Sequence, residues 1–290
     1  MTWAWIALVS ALGNAATSLT LKRAIVRGDT LLTTVGFRVV SGLLLVALVV
    51  ALGAGHPLTP GYWRVTAMVL PPEVGGVVCM SLALRSGDVS EVAPISGLLP
   101  VFVSIFGVIF LHESPSAMSA AGVVLVAAGV YCVGLHGAHS ALAPVLALGR
   151  SPATRWAVAS AILWSLATVV HKLGIAEVGP LTWGTTVALG SGLALALAIP
   201  FMRRSTRTSA HDSGWVRLVV LTGFFFAVQQ AALQLALQRA QAGYVIALAS
   251  MSTLLASVFA MTLLGERRGP ARIIGAVLAT CGAALVALGG

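Results

Sequence analysis

The chain has 290 residues, of which 58% are hydrophobic and only 9% charged, with a formal net charge of +9 and a mean hydropathy of +0.99. A soluble domain carries about a quarter charged residues, so this composition excludes one. The basic residues fall in short loops between apolar runs, as orientation signals do, so no nucleic-acid partner is expected.

Apolar runs of about 20 residues, each able to span a bilayer at about 1.5 Å per residue, cover most of the chain. The alternating ten-residue segments of a transmembrane barrel are missing. Ten spans are expected, at about 3–21, 31–52, 63–85, 89–111, 116–135, 155–172, 181–201, 215–238, 243–264 and 270–288. The first carries no basic residue before its apolar run, and Lys22 and Arg23 follow it, so it reads as a span rather than a cleaved signal. It bears a polar stripe, Ser10, Asn14, Ser18 and Lys22, four residues apart on one face. Span two contains Arg38, about two turns in. Span three contains Glu73 within Leu70–Gly76, LPPEVGG, where Pro71 and Pro72 lack N–H donors and a helix break is expected.

Ionisable groups at such depths cost about 2.5–3.5 kcal/mol each on insertion scales, so each needs a reason. Glu73 can exchange a proton or meet a substrate amine. Arg38 can meet a carboxylate or hold Glu73 ionised. A static ion pair is the alternative.

Span six repeats the stripe with Ser160, Trp164, Thr168 and Lys172. Two matching stripes suggest a shared cavity contacted by Asn14 and Trp164. Hydroxyl bonding between helices is the alternative. His171 reads as a boundary residue, with proton relay the alternative. In span eight, Gln230, Gln234 and Gln238 lie four apart, beside Gln229; Gln229 and Gln230 can read a polar substrate through their amides, with structural bonding between helices the alternative. Gly275, Ala279 and Ala283 form a small-residue stripe in span ten, suited to close packing within the chain or between protomers. Cys79, Cys132 and Cys281 show no CxxC spacing, and His136 and His139 have no third ligand, so neither a metal nor a cofactor is expected.

The halves repeat each other. Leu82–Gly129 aligns without a gap on Leu235–Gly282, with 12 of 48 positions identical, against roughly five expected for this composition. At an offset of 150, Ser10, Lys22 and Ser41 fall on Ser160, Lys172 and Ser191. Phe226 falls on Glu73, and Glu266 on Glu113; the paired glutamates suggest a structural role at a hinge. Five spans per half force opposite orientations. Thirteen of the 17 Lys and Arg residues lie in loops 1–2, 3–4, 5–6, 7–8 and 9–10, which places both termini outside the cytoplasm. The expected fold is therefore an all-α membrane protein of ten transmembrane helices in two inverted five-helix repeats, residues 1–135 and 155–290, joined by a linker at 136–154.

Several stretches resemble the EamA-like group of the drug/metabolite transporter superfamily. They are SLALRSGDVSEVAPISGLLPVF (Ser81–Phe102), FLHESPS (Phe110–Ser116), LLGERRG (Leu263–Gly269), GVVLVAAGVY (Gly122–Tyr131), GAVLATCGAA (Gly275–Ala284) and FRVVSGLLL (Phe37–Leu45). The resemblance implies a ten-helix transporter of small metabolites, often an exporter of amino acids or related compounds. It also implies cytoplasmic termini, against the charge count.

The expected activity is alternating-access transport of a small-molecule substrate in a bacterial cytoplasmic membrane, with Asn14, Arg38, Glu73, Trp164, Gln229 and Gln230 binding it and Glu73 coupling protons. No GxxxxGK[ST] loop is present to use ATP, and no HExxH or GxSxG supports an enzyme. A lipid flippase or a divalent-cation carrier is the alternative, with a membrane-embedded enzyme ranked behind them. Oligomeric state stays open.

Overall fold

A computed structural model describes residues 2–86, 92–134, 151–202, 213–255 and 270–290. Among these residues the chain forms ten α-helices: α1 Thr2–Arg27, α2 Thr30–Ala51, α3 Pro60–Ser86, α4 Leu99–Leu111, α5 Ala117–Gly134, α6 Pro152–Val178, α7 Pro180–Met202, α8 Ser213–Leu237, α9 Ala242–Ala249 and α10 Pro270–Gly289. Of these, α1, α2, α3, α6, α7 and α8 are long and apolar enough to cross a membrane; α4, α5, α9 and α10 are shorter apolar stretches among the described residues. The helix α6 begins inside the expected linker, at Pro152. His136, His139 and Glu266 lie outside the described residues.

Local chemistry sets the helix starts. The Asp29 carboxylate accepts the Leu31 and Leu32 N–H groups at 2.8 and 2.9 Å, which caps α2. Thr59 Oγ1 accepts the Tyr62 N–H at 3.1 Å ahead of α3. Pro60, Pro152, Pro180 and Pro270 open their helices, where the missing N–H has no intrahelical partner to lose. Gly179, with φ of 72°, turns the chain from α6 directly into α7.

The tightest pairings join the two halves: α1 with α8, α3 with α6, α2 with α7 and α5 with α10. The repeat maps α1 onto α6 and α3 onto α8, so the first two pairings are one contact made twice. The other two join repeat partners, and these run antiparallel. Along α2 and α7, Arg38 lies beside Ser191, Gly42 beside Leu189, and Ala54 beside Thr182. Along α5 and α10, Gly122 faces Gly282, and Gly129 faces Gly275 and Ala279. Repeat partners that run in opposite directions are what an inverted repeat requires.

The α5–α10 contact also settles the stripe in span ten, which packs within the chain. A Cβ on Gly282 would lie 2.6 Å from both Gly122 O and Val126 N; one on Gly129 would lie 2.5 Å from Ala279 N. These are backbone atoms and cannot swing aside. Gly282→Val is expected to cost about 3 kcal/mol, lowering the melting temperature in detergent by roughly 6–12 °C.

The helix break expected at Pro71–Pro72 is not there: α3 runs unbroken from Pro60 to Ser86. Two prolines remove only two donors, and packing along α6 holds the remaining turns in line. Instead, irregular backbone occurs at the fourth and ninth spans. A 3-10 segment, Ala93–Leu98, precedes α4. Its repeat equivalent covers 246–251, where α9 ends and the Met251 N–H turns back to Leu248 O at 3.0 Å. Helix then resumes over 252–255.

Candidate functional site

The two intramembrane charges meet. Arg38 on α2 and Glu73 on α3 approach to 3.3 Å, Nη1 to Oε1, with side chains 8% and 11% exposed. The same Nη1 donates to Ser191 Oγ on α7 at 2.5 Å. Ser191 is the repeat equivalent of Ser41, so the second half contributes directly to holding the arginine. The guanidinium carbon lies 5.3 Å from the Phe226 ring centroid and 6.0 Å from that of Phe37. These two rings pack edge to face at 5.1 Å and 78°. Glu73 and Phe226 are repeat equivalents, so one half supplies a carboxylate where the other supplies an aromatic face. The site is asymmetric within a symmetric frame.

His171 is not the boundary residue expected. It is 5% exposed, inside α6. Its Nδ1 accepts the Trp183 Nε1–H at 3.0 Å, which leaves Nε2 to carry the proton of the neutral ring.

The polar stripes of α1 and α6 resolve into two kinds of contact. Ser10 Oγ donates to Gln229 O at 3.2 Å, and Ser160 Oγ donates to Gly76 O at 2.8 Å. Ser10 and Ser160 are repeat equivalents, and so are Gln229 and Gly76. This is one helix-to-helix bond made twice, the bonding role rather than a cavity lining for these serines. Ser160→Ala should therefore cost only about 0.6 kcal/mol and leave transport within a few-fold of wild type. Further along the stripes the symmetry breaks. Asn14 Nδ2 donates to Ser252 Oγ at 3.0 Å, just past the turn that ends α9. Trp164 lays its indole on Gly76, three residues beyond Glu73. Gln230 is 4% exposed, one turn from Phe226, and the Oε1 of Gln229 is buried without a partner. Of the six expected site residues, only Arg38 and Glu73 bond each other among the described residues.

A second polar cluster joins the two halves at one end face of the helix bundle. His112 ends α4 in the left-handed region, at φ of 53°, where its sequence equivalent is Gly265. That turn delivers Glu113, whose N–H returns to Gly107 O at 3.1 Å. Glu113 Oε1 accepts from Lys172 Nζ at 2.6 Å, and both carboxylate oxygens lie 3.0 Å from the Ala242 N–H that opens α9. A carboxylate at a helix start meets unpaired N–H groups and the positive end of the dipole. Lys172 also donates to Ala240 O at 2.8 Å. Nearby, Gln241 Nε2 donates to Ser114 O at 3.2 Å, and the Ser116 N–H donates to the Tyr244 hydroxyl at 3.0 Å. On the same face Thr59 Oγ1 donates to Glu177 Oε2 at 2.8 Å. Lys22, the repeat equivalent of Lys172, is exposed. The sequence held a signal for the cluster, since both Lys172 and Glu113 have a match in the other half. It held none for the Trp183–His171 bond.

Known proteins show the same architecture. A solved crystal structure, named only as that of a protein, superposes with a TM-score of 0.80 over 99% of this chain and 96% of its own, at 19% identity, which shows a shared fold. A curated relative from Sinorhizobium sp, the uncharacterized transporter in the cobO 3' region, is 49% identical over 47 residues, 16% of this chain; the match spans about a third of that protein's length, 33%. The model of the EamA-like transporter family matches twice, over residues 1–135 and 152–288, once per repeat. The chain is an integral membrane protein of the EamA-like transporter family.

Proposed function

We propose that the chain is a secondary active transporter that exports small polar metabolites, such as amino acids or related compounds, with Arg38 and Glu73 at its centre. The observation that carries this is the buried ion pair itself. It joins α2 and α3 of one half to Ser191 of the other, at an interface between the repeats that alternating access must rearrange. Glu73 is proposed to exchange a proton as the pair opens, and Arg38 to meet the anionic group of the solute in its place. Trp164 and Gln230 flank this centre, while Asn14 and Gln229 line the neighbouring α1–α8–α9 seam. The Glu113–Lys172 cluster seals one face in this conformation. The charge bias makes the opposite, basic face cytoplasmic, so the solute is taken up from inside. The named transporter relative and the family support the class of activity.

The test is thermal stability of the purified protein against amino acids, amines, sugars and nucleosides, for wild type and Glu73→Gln. A ligand that binds only the folded state at 100 times its Kd adds about 2.7 kcal/mol of stability. Stabilisation lost in the variant is the expected result. Stabilisation that survives unchanged removes Glu73 from the site.

A further inference from the structure

A neighbouring set of polar atoms has no use in the ion pair. Gln234 on α8 is fully buried at 0% exposure, yet neither its Nε2 nor its Oε1 has a hydrogen-bond partner. A carboxamide stripped of water with both ends unmet is a destabilising feature that a leucine in its place would avoid. It faces α7 at Gly184, where an added Cβ would lie 3.4 Å from Gln234 Cγ and 3.9 Å from Leu45 Cδ1 on α2. So α2, α7 and α8 meet around this amide.

The same seam carries two more unmet groups. Ser41 Oγ and Arg38 Nε, both on α2, are buried without partners. Arg38, Ser41 and Leu45 lie on one face of α2, and Arg38 to Leu45 covers about 10 Å of helix. Phe226, Gln230 and Gln234 keep pace along the parallel α8. The Leu45 side chain, beside Gln234, also lines an apolar cleft of about 470 Å³ between α1, α2 and α8, with Ile6, Leu48, Phe224 and Leu235 among its walls.

We propose that Gln234 is a recognition site for neutral solutes carrying a donor–acceptor edge on an apolar body: a carboxamide, a lactam or a ureido group. The amide of Gln234 offers one donor and one acceptor side by side, which such an edge matches with two parallel hydrogen bonds. A carboxylate supplies no donor and would bring an uncompensated charge beside a neutral amide, since Arg38 is engaged by Glu73 and Lys172 by Glu113. The apolar part of the solute would pack on Leu45, whose side chain stands between the amide and the cleft. This assignment rests on the chain being a transporter, and it extends the range of substrates past charged metabolites.

The experiment compares isovaleramide with isovalerate as ligands of the purified full chain, for wild type, Gln234→Leu and Gln234→Met. Isovaleramide is expected to raise the wild-type melting temperature by about 5 °C at saturating concentration, and isovalerate to leave it unchanged. Both variants should bind isovaleramide at least tenfold more weakly, and without ligand both should melt at or above the wild-type temperature. The last point separates recognition from packing, because loss of an unmet amide does not loosen the fold. Variants that both melt several degrees lower would make Gln234 a structural residue and overturn the proposal. So would an equal response to the acid and the amide, a response retained in both variants, or no response at all. If amino acids still bind the wild type while isovaleramide does not, only this subsite fails. If nothing binds, the proposed class of small polar solutes fails with it.

Discussion

Arg38→Leu is expected to destabilise the protein by about 3–5 kcal/mol, because it strands Glu73 as an unpaired buried charge. Glu73→Leu should cost a similar amount by stranding Arg38. The double variant Arg38→Leu/Glu73→Leu should recover to within about 1 kcal/mol of wild type, since replacing both members of a buried pair with apolar side chains is often neutral. Transport should follow a different pattern. Each single variant and the stable double variant should lose at least 100-fold of solute flux. Melting curves and proteoliposome uptake on the four proteins separate the two readings of the pair. A static pair predicts that the double variant regains transport along with its stability. A working pair predicts regained stability and no transport.

Glu113→Gln is expected to open the sealed face. The variant keeps a neutral acceptor near Ala242 but loses the charge that holds Lys172. The side chains are 23% exposed at Lys172 and 10% at Glu113, so the loss falls below that of a fully buried pair, at about 2 kcal/mol. The larger effect is on the conformational balance. Shifting a two-state equilibrium by about 2 kcal/mol changes the population ratio roughly 30-fold. A cysteine introduced at Asn14, close in size to the residue it replaces and in the α1–α8–α9 seam, should then react at least tenfold faster with a membrane-impermeant thiol reagent added from the Glu113 face, in a background lacking Cys79, Cys132 and Cys281. An unchanged rate would mean that the cluster holds the helix ends together without gating access. Lys172→Met should reproduce the Glu113→Gln result, because it removes the other half of the same contact.

Much of this molecule is legible in its sequence. Composition forces the chain into a bilayer, and an odd number of spans per repeat forces inversion, which the antiparallel α2–α7 and α5–α10 pairs display. The meeting of Arg38 and Glu73 was legible because an intramembrane charge is so costly that its partner is sought among the few others present. What sequence left open were questions that packing decides. Ser10 and Ser160 could line a cavity or join helices, and only the carbonyls of Gln229 and Gly76 across the seam select between these. Pro71 and Pro72 mark a place where a helix can break, yet α6 braces α3 through it. His171 lies near the end of an apolar run, but α6 continues to Val178, which leaves the imidazole deep beside Trp183. Gln234 shares the four-residue spacing of Gln230 and Gln238, and nothing in the sequence sets it apart from them. Its unmet amide is a property of three helices together, and no single stretch of sequence contains it.

The most direct test of the account is to compare two modes of transport of one identified substrate in proteoliposomes, for wild type and Glu73→Gln. One mode is exchange at equal pH on both sides. The other is net accumulation driven by an imposed pH gradient. Wild type should perform both, with accumulation following the gradient and reversing when the gradient is reversed. Glu73→Gln should abolish the response to the gradient, whatever exchange remains. Accumulation in the variant that still follows the pH gradient would contradict the central claim and leave Glu73 as a structural partner of Arg38.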